Sequence, residues 1–188
     1  MAEIKLKPLT ALGHDAPVTE TLGPWTLTER FDVALASLAP RRGRLDEVRA
    51  AAARAGIPMS APARAELGAT FGAFWMTPDM WMVEAPFATH EDIRPALLAV
   101  FGDAASITEQ TDAWVRFDLA GPELERLMER LSNFDLAPAP EGAATRTVIE
   151  HMGCYLIKRS AQAITLYGPR SSARSLHHAL TVAAASLA

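Results

Sequence analysis

Cysteine is nearly missing from this sequence: Cys154 is the only one in 188 residues. One thiol cannot close an internal bridge, and no zinc-type Cys/His spacing surrounds it. The fold must therefore hold without disulfides, and nothing marks an oxidising compartment. A cytoplasmic location is the expectation. Long apolar runs are missing too, since no stretch approaches the roughly 18 to 20 apolar residues of a membrane span. The opening "MAEIKLKPLTALGHDAP" carries two lysines with no apolar run behind them, unlike an export signal. Nor is one sign of charge in large excess. The formal charge is −4, and the densest basic run, "PRRGR" at 40–44, is followed at once by Asp46 and Glu47. That leaves no broad cationic surface for a phosphate backbone, so nucleic acid is not an expected partner. The Arg run reads as a solvated helix start or an interface patch. Signature motifs are absent as well: there is no GxGxxG after a strand, no P-loop, no GxSxG elbow and no HExxH.

What is present is apolar content, 49% of residues, enough to bury one core or two small lobes sharing one. Residues 1–30 are rich in Thr, Pro, Gly and charge and read as an irregular arm, with 31–188 as a single α+β domain. The arm carries Leu6, Leu9, Leu12, Leu22 and Trp25, which need a surface to lie on, either their own domain or another chain. Beyond it one unit recurs four times: an apolar strand, a proline turn, then an amphipathic helix. The junctions are "SLAP" (37–40), "VEAP" (83–86), "LAGP" (119–122) and "LYGP" (166–169), where proline ends the strand and presets φ for a turn. Their unequal spacing argues against a solenoid.

The helices are legible from periodicity and caps. One is expected from about Arg44 to Ala55, ended by Gly56 and Pro58. A second begins at Asp92 as N-cap, holds Pro95 in its first turn and runs to Phe101 with Gly102 as stop. After Pro122, Leu124, Leu127, Met128 and Leu131 form one apolar face, and Leu176, Leu180, Ala183 and Leu187 form another. Hairpins are expected around Thr77-Pro78-Asp79 and around "SAQ" at 160–162. Hairpins followed by helices imply antiparallel sheets with helices on one face, an α+β class built of split β-α-β units of ferredoxin-like kind.

Several candidate reactive groups fall on these elements. His151 ends the strand "TRTVIEH" and Cys154 starts the next, after Met152-Gly153. A nucleophilic thiol needs a neighbouring base, cation or helix N-terminus, and a strand junction supplies none, so a small buried Cys is the expectation. His177 and His178 are adjacent on a helix and point about 100° apart, whereas two metal ligands on one helix want i, i+4 spacing. Glu109, Asp112, Asp118 and Glu150 sit in or beside strands, and nothing pairs them by spacing. Phe71, Phe74, Trp75 and Trp81 crowd one hairpin with Met76, Met80 and Met82, which leaves two readings, a core buried on both faces or a surface offered to a partner.

Five stretches in this order resemble the gamma subunit of heterotetrameric sarcosine oxidase: "ALASLAPRRGR" (34–44), "TPDMWMVEAP" (77–86), "TDAWVRFDLAGP" (111–122), "ATRTVIEHMGC" (144–154) and "YGPRSSARSLHHAL" (167–180). Met80 departs from the pattern, where a polar residue is expected. The resemblance implies a fold similar to part of the aminomethyltransferase folate-binding domain. It also implies a noncatalytic subunit docking on the alpha subunit of a complex that oxidises sarcosine to glycine and passes the one-carbon unit to tetrahydrofolate. FAD, FMN, NAD and tetrahydrofolate would then sit in the alpha and beta subunits and zinc in the delta subunit. This chain would hold no catalytic, cofactor-binding or metal residue. The alternative is a freestanding folate-binding or one-carbon-transfer protein of the same fold, with Arg146, Lys158, Arg159, Arg170 and Arg174 meeting a glutamate tail.

Overall fold

Period-two alternation and proline stops shape the strands of the computed structural model, which describes residues 7–187. Leu6 of the expected arm lies outside the described residues. In chain order the elements are β1 (Thr19–Leu22), β2 (Trp25–Arg30), β3 (Val33–Pro40), α1 (Leu45–Ala55), β4 (Ala65–Leu67), β5 (Gly72–Thr77), β6 (Met80–Pro86) and α2 (Ile93–Phe101). There follow β7 (Ala105–Glu109), β8 (Trp114–Ala120), α3 (Leu124–Met128), β9 (Ala144–Ile149), β10 (Met152–Ser160), β11 (Ala163–Pro169) and α4 (Ala173–Ala185). Three of the four junction prolines or their neighbours close a strand as expected, at Pro40, Pro86 and Pro169, and the fourth strand stops at Ala120, just before Pro122.

The helix signals hold in detail. Asp92 caps α2, accepting from the Arg94 N–H at 3.2 Å, and Gly56 ends α1 in the left-handed conformation at φ 67°. The third helix is shorter than its periodicity suggested. It stops at Met128, and the N–H groups of Arg130 and Leu131 bond to carbonyls three residues back, a tighter turn, although Leu124, Leu127, Met128 and Leu131 are all buried.

Two antiparallel sheets result, ordered β1-β2-β8-β11-β10-β9 and β4-β5-β6-β3-β7. In the second sheet β3, β5, β6 and β7 with α1 and α2 make a complete split β-α-β unit. The first sheet repeats that order with β8, β10 and β11, but its fourth strand is β2, from the front of the chain. The segment expected to be an irregular arm therefore corrects to a hairpin over 19–30 that completes the second unit. Trp25 and Leu27 are buried against β8's helix side, and the Trp25 indole donates to the Pro122 carbonyl at 2.7 Å. Gly121 permits this join: at φ 151° a Cβ there would stand 2.7 Å from both the Pro24 oxygen and the Trp25 ring.

Alternate residues of each strand serve two cores. Val115, Phe117 and Leu119 of β8 face α3 and α4, and Ala34, Ala36 and Leu38 of β3 face α1 and α2. The opposite faces of the sheets pack on each other through Leu35, Phe74, Met82, Tyr155, Ile157 and Tyr167. The layers run helix, sheet, sheet, helix. At one edge the sheets are joined by backbone hydrogen bonds, Ala65 N–H to Gly142 O at 2.7 Å and Ala144 N–H to Ala63 O at 2.9 Å.

Candidate functional site

The face of β8 turned toward the other sheet carries Arg116 and Asp118, two apart and so on the same side. Arg116 grips Asp118 through two hydrogen bonds of 2.9 Å. From Asp118 the network runs to the Thr165 hydroxyl at 2.7 Å, which accepts from Arg159 Nε at 3.0 Å. Arg159 in turn reaches Glu84 of the opposite sheet at 3.1 Å. Glu84 is buried, and it also accepts from the Tyr167 hydroxyl at 2.6 Å. Burial, and then the neighbouring Glu84 carboxylate, push the Tyr167 phenol well above its ordinary value, so it stays a neutral donor. Every charge in this interlayer has an opposite partner, as buried charges require.

Beside the network, where β2 and β8 face the start of β3, the sheets part around a cavity of about 550 Å³. Arg116 and Tyr167 form part of its wall, Leu35 and Trp114 add apolar surface, and Phe31 and Leu9 stand on it as exposed apolar residues. The chain from Pro8 to Ala11 crosses it, tied down where Arg170 donates to the Leu9 carbonyl at 3.0 Å and Arg174 to that of Leu12 at 3.3 Å. Of these residues the sequence singles out Asp112, Asp118, Arg159 and Arg170, but not Glu84, Arg116, Tyr167 or Trp114. The available signal was the pair of charges at i, i+2 in "WVRFDLA", polar on the one face of a strand whose other face is wholly apolar.

Glu150, His151, Cys154, His177 and His178 fall elsewhere and apart. His151 lies in the two-residue turn between β9 and β10 with Glu150, at φ 90° and 53°, both side chains exposed. The turn thus comes two residues earlier than expected, because Met152 already pairs with Ile149. Cys154 points into the helix-side core, and burial pushes its thiol up to about 11. His177 reaches Glu20 at 3.0 Å, pinning α4 to β1, while His178 is exposed. Among the described residues no group of three or more His, Cys, Asp and Glu is placed to hold a metal ion. Glu109 accepts from the Thr111 N–H, and Asp112 lies at the cavity beside Arg170.

The five basic residues do not converge on a glutamate tail. Lys158 is buried and donates to the carbonyls of Leu136 and Ala139 at 2.9 and 2.7 Å. Arg159 belongs to the interlayer, Arg170 and Arg174 hold the N-terminal segment, and Arg146 lies on the edge strand β9. Of the two readings of the Trp and Met hairpin, its main members take the one of core. Phe74, Trp81 and Met82 are at most 2% exposed, with the Trp81 indole donating to Ser60 O at 2.8 Å. Its second face is covered by the other sheet, so that for these residues the hairpin is a core buried on both faces.

No family model matches the chain, and no curated protein matches it in sequence. Its fold is similar to aminomethyltransferase T of the glycine cleavage system from Bartonella henselae, with 11% identity, a TM-score of 0.62, and 82% of this chain covering 44% of that one. It is similar also to a chain of the heterotetrameric sarcosine oxidase of Corynebacterium sp. U-96, with 18% identity, a TM-score of 0.74, and 86% of this chain covering 84% of that one. The α+β architecture read from the sequence is therefore the one these two proteins share with this chain.

Proposed function

We propose that this chain is the noncatalytic gamma subunit of a heterotetrameric sarcosine oxidase, docking on the alpha subunit of a cytoplasmic complex. One observation carries the reading: the match to the sarcosine oxidase chain is nearly end to end in both directions. The shared fold thus takes in most of that sarcosine oxidase chain, but under half of aminomethyltransferase T. The five sequence stretches that resemble the gamma subunit point the same way. Sarcosine oxidation, with FAD, FMN, NAD, tetrahydrofolate and zinc, would then belong to the alpha, beta and delta partners. The scatter of Arg146, Lys158, Arg159, Arg170 and Arg174 supports this reading over a freestanding folate protein, since a polyglutamate tail needs cations on one face.

Affinity capture of the tagged chain from its native cell tests the proposal. A large flavin-bearing subunit should copurify in fixed ratio, and the captured material should consume oxygen on addition of sarcosine. Recovery of the chain alone, under conditions that preserve other complexes of the cell, would overturn it.

A further inference from the structure

We propose that the outer edge of β9 takes up an extended segment of a partner protein as an added antiparallel strand, one that sets an apolar residue against Val148 and, two places on, an acidic residue against Arg146. The start of this edge is already paired. Ala143 accepts from the Lys158 N–H on the β10 side at 2.9 Å, while Ala144 turns outward and donates to Ala63 O at 2.9 Å. β9 keeps its register with β10 from Ala144 to Ile149 without a bulge, so by period two Arg146 and Val148 turn their N–H and C=O groups outward as well. The bridge from the other sheet, Arg64 to Ala143, stops short of them. Among the described residues the only partner these groups have is the Thr145 hydroxyl, 3.3 Å from the Arg146 carbonyl.

Proteins blunt the edges they leave unused with short strands, prolines, bulges or charge. The edges at β1 and β4 are four and three residues long, and on β7 the Ile107 carbonyl takes Arg94 Nε at 3.4 Å. β9 has six residues, no proline, and Val148 exposed to 59%. Beside it lies an open groove of about 720 Å³, walled by Glu129, Leu131, Ser132 and Asn133 on the far side and by Thr147 and Val148 on the near one. A strand laid along β9 turns alternate side chains into this groove, which is how an added strand gains specificity beyond its backbone bonds. The one blunting device on this edge, the exposed charge of Arg146, decides the occupant. Among the described residues Arg146 has no ion-pair partner. In a second copy of β9 centred on Thr147, the two Arg146 guanidiniums would stand diagonally across the pair, a like-charge contact. A carboxylate opposite Arg146 makes the favourable pair instead, with an apolar side chain opposite Val148. Read in its own direction, the partner segment therefore runs apolar, any residue, acidic. This pairing does not depend on the subunit reading.

The test pans a phage-displayed library of random octapeptides on the full chain and follows the enriched peptides by fluorescence anisotropy and amide hydrogen exchange. The expected peptides carry the apolar-x-acidic pattern and protect the Arg146 and Val148 amides from exchange. Val148→Pro removes an outward N–H and no ladder bond, so thermal melts should show it folded while peptide affinity falls tenfold or more. Arg146→Glu should weaken the same peptides at least fivefold, and replacing their acidic residue by Lys should restore the affinity. Should Val148→Pro fail to fold, exchange protection and the Arg146 charge swap decide. No enriched peptide, enriched peptides that bind Val148→Pro at full strength or protect amides away from β9, or a dimer of the chain in sedimentation that Val148→Pro dissolves would each overturn the proposal.

Discussion

Replacing Trp25 by Ala should unfold this protein at a much lower temperature, although the residue lies in a segment whose composition reads as an irregular arm. Trp25 is 3% exposed and packs with Leu27, Phe117 and Leu119 in the core under α3 and α4. Truncating a fully buried Trp costs about 3 to 5 kcal/mol. The loss here includes the indole hydrogen bond to the Pro122 carbonyl, which anchors β2 beside the end of β8. In a chain of this size each kcal/mol moves the melting temperature by about 2 to 4 °C, so a fall of roughly 6 to 20 °C is expected. Differential scanning calorimetry measures it directly, with Leu9→Ala as control because Leu9 is 46% exposed. Gly121→Ala supplies an independent perturbation of the same join, since its Cβ would meet the Pro24 oxygen and the Trp25 ring at 2.7 Å. A melting temperature within about 2 °C of the parent for Trp25→Ala, less than the shift for a single kcal/mol, would refute the reasoning. Residues 19–30 would then be an appendage rather than the fourth strand of the second unit.

The double change Glu150→Asn with His151→Gly should stabilise the protein by about 1 kcal/mol in urea titration, because positive φ at both turn positions favours that pair. Cys154 should resist Ellman's reagent in the folded protein and react fully in denaturant. The thiol is held near 11 in the fold against an ordinary value of 9.0. The unfolded chain therefore loses that proton first, and stability should fall as pH rises from about 9 to 11, less steeply in Cys154→Ala. Glu84→Ala, which strands Arg159 in the interlayer, should cost about 3 to 5 kcal/mol, and adding Arg159→Met should recover part of it, as a double-mutant cycle would show.

Local signals were the legible part of this fold. The Asp92 cap, the Gly56 and Gly102 stops and the Thr77-Pro78-Asp79 turn are each decided by neighbours in sequence, and each stands where it was expected. What escaped depends on distant partners. "WTLTER" at 25–30 alternates as a strand should, but Gly23 and Pro24 interrupt the pattern and its partner β8 lies far along the chain. The hairpin of Phe74, Trp81 and Met82 was recognised as too apolar for one buried face, yet only the stacking of two sheets explains what covers the other. The interlayer network was hidden for the same reason: Glu84, Arg116 and Tyr167 come from three strands, and no spacing links them. Cys154 and the paired histidines were read from geometry alone, and their placement in the core and on diverging sides of α4 agrees with that reading.

The subunit proposal meets its most direct test in coexpression of this chain with the alpha, beta and delta subunits of the same organism, followed by native mass spectrometry. The account predicts one assembly with a single copy of this chain, held through a washed affinity step and active in sarcosine-dependent oxygen uptake. An active assembly of the other three subunits that forms without this chain, with this chain present but running apart as free protein, would contradict it.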